Sequence, residues 1–484
     1  MWLLALLLAV PAAPALPATT ELPDLGEESG AVLSPLEEQQ LGEDFMRQAR
    51  AQLDILNDPE LSEYLQTLGN RLTTAAETEH PYYFFLINNP TINAFAVPGG
   101  YIGVHTGLLL AARRETELAA VLAHETAHVT QRHIPRMIAE SRRMSGPTMA
   151  AILAGILLAA AGGGQGGEAA IALATAGAAQ HQINFTRTFE QEADRIGMHV
   201  LDGAGYDARA MPAFFERMET LSRLYETNVP EFLLTHPVTG RRIAESQDQA
   251  ERFPQRPAGD DFEFRHMQAR LQALGGKSGE AVLFFRGQLE NGGAAQRGAR
   301  RYGLALALLA SRKPAEAERE VTSLITEHPD YPPYYSLRAE AELAAGRTGE
   351  GLETFRLAVA RFPGSLALTQ RYGEALLNRG QARVARDLLE RTVRQHPSEP
   401  ALQRLLARAA GNAGYPMEAH RAYGEYYFLT GQPRAAVEQL ELALKHARND
   451  FYYVASIEAR IKEIRERSGL LQDPAPRPDP GPKK

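Results

Sequence analysis

A chain of 484 residues, 44% apolar and 23% charged, is longer than one ordinary core requires and reads as a folded protein of at least two units. Its formal net charge of −8, with no long basic run, offers no surface that would release counterions from a phosphate backbone, so nucleic acid is excluded as a partner. Cysteine is absent, which removes disulfides, thiolate nucleophiles and thiolate metal ligands together; any transition-metal site has to use histidine and carboxylate.

The chain opens with MWLLALLLAVPAAPALPA, an apolar run from Trp2 to Val10 followed by small residues suited to cleavage after Ala15 or Ala18. This predicts a secretory signal peptide over 1–18 and therefore export, although no basic residue precedes the apolar run. An acidic, irregular stretch follows, and a helical pattern from Leu36 to Ala51 starts the first domain, taken as 34–254. Tyr82 to Ile87 is aromatic and β-branched, and Ala94–Val97 and Tyr101–His105 flank Pro98-Gly99-Gly100, which predicts a small sheet with a tight turn. Leu108 to His133 contains no glycine or proline and is expected to be one long helix.

Met149–Ala161 and Ala169–Ala179 are alanine-rich, with a glycine-rich linker at 162–167 between them. Neither reaches the roughly 18 residues of a membrane span, so they are expected to form a helical hairpin, with peripheral contact to a membrane surface as the alternative. Residues 186–203 are expected to form a further helix, and the polar stretch Arg252–Asp261 a linker.

From Asp261 onward the texture changes to Ala, Leu, Arg and Glu at helical spacing. Pro329, Pro363 and Pro397 recur every 34 residues, as do Gly346, Gly380 and Gly414, which is the tetratricopeptide period. In such a unit glycine makes the turn between two amphipathic helices and proline closes the second, so 262–468 is expected to stack as an all-α solenoid. Arg312 stands where the period would place a glycine, and the period is lost near Gly431. The proline-rich tail, 469–484, is expected to be disordered.

His124-Glu125-Thr126-Ala127-His128 is an HExxH motif. Four residues advance a helix by about 400° and about 6 Å, so both imidazoles share one face while Glu125 addresses a neighbouring position. Two neutral imidazoles and a carboxylate with one open position suit a single Zn2+ ion. Candidates for the third ligand are His133, His181, Glu190, Glu192 and His236. The extension that would supply a third histidine close in sequence is missing. Glu190 instead offers a carboxylate on a second helix, with Asp194 one turn later available to orient a ligating histidine. The chemistry expected of such a site is peptide hydrolysis without a covalent intermediate. Glu125 would take a proton from the attacking water and return it to the leaving amine.

Residues 35–250 resemble the zinc metallopeptidase family that includes the CAAX prenyl protease and the HtpX heat-shock protease. AHETAH at Ala123–His128, FEQEAD at Phe189–Asp194, NAFAVPGG at Asn93–Gly100 and THPVTGRRI at Thr235–Ile243 carry the likeness. With the repeat domain joined to it, the chain is similar to the branch linked with assembly or disposal of outer-membrane β-barrels. The resemblance implies a mainly α protein: an α+β zincin-like domain with a small sheet, then the tetratricopeptide solenoid. It implies Glu190 as the third ligand beside His124 and His128, Glu125 as the catalytic base and Asp194 as the partner of a ligand. It further implies His236 as a residue that restrains activity from the open coordination position, and Asn93, Ala94 and Phe95 in an edge strand to which substrate adds. Arg242 is expected either to contact the site or to cap the core. Protein or peptide substrates, the outer-membrane β-barrel assembly machinery as partner and a periplasmic location follow as expectations. Two readings of the whole stay open: an active protease, or a binding module whose protease site is held silent.

Overall fold

A computed structural model describes residues 33–78, 80–143, 179–224, 230–257, 259–291, 296–447 and 450–470. The expected signal peptide, the alanine-rich segments within 144–178 and the tail beyond Leu470 lie outside the described residues.

Helix α1 (Pro35–Gln52) begins at a reciprocal cap: Ser34 Oγ accepts from the Glu37 amide, and the Glu37 carboxylate accepts from the Ser34 amide at 2.7 Å. Asp58 caps α2 (Pro59–Ala75) in the same sense, accepting from the Leu61 amide at 3.0 Å. Strands β1 (Tyr83–Ile87), β2 (Ala94–Val97) and β3 (Tyr101–His105) form one sheet in the order β1-β3-β2, with β1 parallel and β2 antiparallel to β3. The β2–β3 turn needs its glycines. Gly99 and Gly100 stand at φ 80° and 81°, and a Cβ on either would meet a backbone oxygen at 2.8 Å.

Side chains alternate across the sheet as strand geometry demands. Phe84, Leu86, Ala94, Ile102 and Val104 face α2 and the HExxH helix, whereas Ile87, Phe95, Val97 and Tyr101 face Phe45, Met46 and Ala49 of α1.

Instead of one helix over Leu108–His133, there are three: α3 (Thr106–Ala111), α4 (Glu115–Thr130) and α5 (His133–Arg143). The first break has a tertiary cause. Asp261, from the linker, accepts from the Glu115 amide and from Arg114 Nε, both at 3.0 Å, and so caps α4 from outside. The second break falls at Arg132, whose φ of 52° ends the helical path. Helices α6 (Ala179–Gly203), α7 (Ala210–Leu224), α8 (Glu231–Thr235) and α9 (Gly240–Ala250) complete the first unit.

Among the described residues the repeat region supplies six helix pairs, α10 (Phe262–Leu274) to α21 (Phe451–Arg467): α11 (Ser278–Asn291), α12 (Arg297–Ala310), α13 (Pro314–Glu327), α14 (Pro332–Ala344), α15 (Thr348–Arg361), α16 (Leu366–Asn378), α17 (Ala382–Gln395), α18 (Pro400–Ala413), α19 (Pro416–Leu429) and α20 (Pro433–His446). The periodic glycines Gly346, Gly380 and Gly414 all take positive φ, and Arg312 in the equivalent turn takes 59°, a strain of about 1 kcal/mol that glycine would avoid. The lost period near Gly431 has a counterpart: a tight turn at φ 76° joins α19 directly to α20.

The solenoid curls back on the first unit. Arg270 of α10 and Arg371 of α16 meet Asp58 and Glu60 at the start of α2, Glu63 accepts from the Leu366 amide at 2.6 Å, and Arg50 of α1 donates to the Leu429 carbonyl at 3.2 Å. Part of the surface of the repeats is thus covered by the chain's own first unit. A single hydrophobic cluster runs from Leu61 through Phe264 and Tyr302 to Tyr334, across the linker.

Candidate metal centre

Leu118 to Ala127 of α4 is buried on every side, and this fixes the rings of His124 and His128 in one place. Helix α6 approaches α4 at Gly197, where a Cβ would come within 3.2 Å of the Ala123 oxygen and the His124 Cα. Only glycine permits that spacing without a shift. The approach sets Glu190 of α6 opposite both histidines, with Oε2 3.4 Å from His124 Nε2 and Oε1 3.5 Å from His128 Nε2.

His236 follows α8 and leaves the helical path at φ −124° and ψ 79°, short of the fully extended backbone favoured before a proline, and its ring stacks on Phe232. Its Nδ1 lies 3.3 Å from His124 Nε2 and 3.0 Å from Glu190 Oε1, and its Nε2 lies 3.4 Å from Glu125 Oε1. His124, His128, Glu190 and His236 each offer one donor atom, all within 4.8 Å of one another.

These residues fit a metal ion. Donors held about 2.0–2.1 Å from a tetrahedral centre stand roughly 3.3 Å apart, close to the separations above. His124 Nδ1 lies 3.0 Å from Asp194 Oδ1, so a neutral ring with its proton on that side would turn its Nε2 lone pair toward His128 Nε2, 3.0 Å away. A converging set of lone pairs and a carboxylate is satisfied by a cation.

Arg242 of α9 grips Asp194 with both Nε and Nη2, at 2.6 and 2.7 Å, and reaches Glu190 Oε2 with Nη1 at 2.8 Å. The sequence left it between contacting the site and capping the core, and the contact is the outcome. Burial alone would raise the Glu190 carboxyl, but His236 and Arg242 hold it well below its ordinary value. Burial would likewise lower His124, yet Asp194 and Glu190 push it up to about 9, so in the absence of a cation it carries the proton that a bound metal would displace, while burial and then His124 hold His128 well below its ordinary value. Glu125, 1% exposed, is shifted upward by burial against the opposing pull of His236 and His124.

The other predicted residues lie apart. Glu192 pairs with Arg136 at 2.8 Å, on the far side of His133. The side chain of His181 is outside the described residues. His133 is not among the clustered donors but stands behind one of them, its Nδ1 2.8 Å from His128 Nδ1. Its spacing of five gave no sign of this.

β2 is the edge of the sheet. In its register with β3, Ala94↔Val104 and Ala96↔Ile102 alternate with the pairs that exchange hydrogen bonds, such as the Asn93 carbonyl with the His105 amide at 3.0 Å. Ala94 and Ala96 therefore turn their amides and carbonyls to the open edge, and the Ala96 amide addresses the Glu125 carboxylate. Asn93 is buried just before the strand, Ala94 faces the HExxH helix and Phe95 faces α1.

Comparison with known proteins agrees with this arrangement. The family model for Peptidase family M48 matches residues 59–250, and a tetratricopeptide repeat model matches 342–409. A putative beta-barrel assembly-enhancing protease of Vibrio cholerae is 35% identical over 472 residues, covering 95% of this chain and 97% of its own. The beta-barrel assembly-enhancing protease of Yersinia pestis is 33% identical over 93% of both chains, and that of Escherichia coli K12 is 33% identical over 92% of this chain and 91% of its own.

Proposed function

The chain belongs to peptidase family M48, in the branch of the beta-barrel assembly-enhancing proteases, and from that footing we propose that it is an exported zinc endopeptidase of the periplasm. Its task in this reading is the assembly or disposal of outer-membrane β-barrel proteins, with the repeats meeting protein partners such as the β-barrel assembly machinery. The observation that carries the reading is the convergence of His124, His128 and Glu190 beside a buried Glu125.

Zinc would be held by those three residues and, when bound, supplies a Lewis acid that polarises the scissile carbonyl and acidifies water. Glu125 takes the proton of the attacking water and passes it to the leaving amine; a carboxylate raised by burial holds that proton better between the two steps. Asp194, fixed by Arg242, holds the His124 ring in the tautomer that presents Nε2. An extended substrate adds to the edge of β2, pairing with the backbone of Ala94 and with the Ala96 carbonyl, which brings its own backbone past Glu125.

His236, its Nδ1 3.3 Å from His124 Nε2 and 3.0 Å from Glu190 Oε1, would supply a fourth donor where substrate or water must otherwise enter. This supports a restrained protease, and it also favours the second reading, in which binding by the repeats is the main activity. Zinc content and casein cleavage of the mature chain, beside Glu125→Gln and His236→Ala, separate the two. One zinc per chain, loss of cleavage with zinc retained in Glu125→Gln, and faster cleavage by His236→Ala are the expected results. No zinc and no cleavage in any variant would leave the binding reading alone.

A further inference from the structure

On a continuous helix, residues five apart are turned by about 500° and separated by about 7.5 Å, so His128 and His133 would point in different directions. Their Nδ1 atoms are nevertheless 2.8 Å apart. The cause is the break between α4 and α5. Arg132 takes a left-handed conformation with φ 52°, costly for a residue with a Cβ, and is held there by its hydrogen bonds to Glu38 at 2.8 Å and to the Leu33 carbonyl at 2.6 Å. The reversal swings His133 back along α4 until its ring stands behind that of His128.

The ring is fixed on its other sides. It stacks on Phe189 with centroids 4.3 Å apart, and its Nε2 lies 3.3 Å from Glu192 Oε2, which Arg136 holds at 2.8 Å. Only one assignment of protons satisfies every atom in this chain once His128 Nε2 is given to a metal. His128 Nδ1–H donates to the lone pair of His133 Nδ1, and His133 Nε2–H donates to the Glu192 carboxylate. Any other assignment sets two protons or two lone pairs against each other.

We infer that His133 is a positioning residue for the metal centre, joining Glu192 to His128 as Asp194 directly serves His124. This rests on the zinc peptidase reading and extends it to two residues that touch neither metal nor substrate. The two ligands of α4 are then oriented by different means: one by a carboxylate, the other through a second imidazole that ends on a carboxylate. A histidine intermediary lets Glu192, partly exposed and at the rim, influence a ligand it cannot reach.

The test measures zinc affinity by competition with a chromophoric chelator and records the visible spectrum of the cobalt-substituted chain. Melting of the metal-free chains serves as the control for packing. His133→Phe keeps a ring against Phe189 but offers no acceptor to His128. Glu192→Ala removes the terminal acceptor, and Glu192→Gln restores one. His133→Phe is expected to weaken zinc binding by about 10–100-fold and to shift the cobalt bands, with the metal-free melting temperature unchanged. Glu192→Ala should weaken zinc in the same direction by a smaller factor, and Glu192→Gln should recover most of the loss. Because Glu192 is partly exposed, its variants remain informative if His133→Phe does not fold. Parental affinity and parental cobalt spectra in both His133→Phe and Glu192→Ala overturn the inference while leaving the peptidase reading intact. A parent chain that takes up no zinc removes that reading, and this inference with it.

Discussion

Replacing Arg270 with methionine tests how firmly the peptidase unit and the repeats are joined. Its Nε and Nη2 each lie 2.7 Å from an oxygen of Asp58, Nη2 lies 2.8 Å from Glu60 Oε2, and Nη1 lies 2.9 Å from the Tyr302 hydroxyl. Methionine fills much of the stem's volume but leaves both buried carboxylates to Arg371, 3.0 Å from Asp58 and 2.8 Å from Glu60. Adding these bonds singly would overshoot, because the guanidinium recovers its hydration on unfolding. Breaking a buried pair costs about 3–5 kcal/mol, and the surviving Arg371 contacts place this case near the lower end, at about 3 kcal/mol.

The pH dependence follows from Asp58. Burial would raise its carboxyl, but Arg270 first and then Arg371 hold it below the ordinary value. In the parent, that stabilisation is therefore present above the unfolded value of about 3.9 and is lost as pH falls through the lower folded value. In Arg270→Met burial is less opposed, the folded value rises, and protonation relieves the unpaired charge. Urea unfolding at pH 7.5 and 5.0 should show a deficit of about 3 kcal/mol that narrows at the lower pH. A deficit under about 1 kcal/mol, or one equal at both pH values, would refute the reasoning.

Two further outcomes are expected. Burial lowers His266 to about 4 despite its bond to the Phe262 carbonyl, so its neutral form is stabilising above an unfolded value of 6.5, and that contribution is lost as pH falls towards 4. The loss amounts to about 3 kcal/mol, and His266→Phe should flatten the stability–pH curve in that window by up to one proton; an unchanged slope counts against it. Asp261→Ala removes the outside cap of α4 and should lower the unfolding free energy by about 2 kcal/mol, whereas Asp261→Asn, which keeps an acceptor and tolerates the left-handed backbone, should lose under about 1 kcal/mol; equal losses would show that the cap is not the cause.

What could be read from the sequence was what is local. The 34-residue period, the Pro98-Gly99-Gly100 turn and the short β-branched and aromatic strands each depend on neighbours close in sequence, and all have counterparts in the fold. His124 and His128 fall together because one helical turn places them. The donors from Glu190 and His236, by contrast, arrive on separate elements, and only the close approach at Gly197 and the end of α8 at His236 bring them in. For Glu190 the family likeness supplied what spacing left open among five candidates. His133 was unreadable for the opposite reason: its spacing argued against a neighbour until Arg132 reversed the chain.

The same distinction bears on where one unit ends. A change of texture at Asp261 marks a boundary in the sequence, yet Asp261 itself caps the helix that carries His124 and His128, and it does so from 146 positions away. Asp58 and Arg270, 212 positions apart, neutralise each other in the interior, so neither side can bury its charge without the other. The apolar cluster that encloses Leu118 and Val121 of the catalytic helix continues into Phe264, Tyr302 and Tyr334 of the repeats. A peptidase unit cut at the linker would therefore expose apolar surface, strand two carboxylates and uncap the helix on which its chemistry depends. The repeats are part of what holds that helix in place, whatever else they bind.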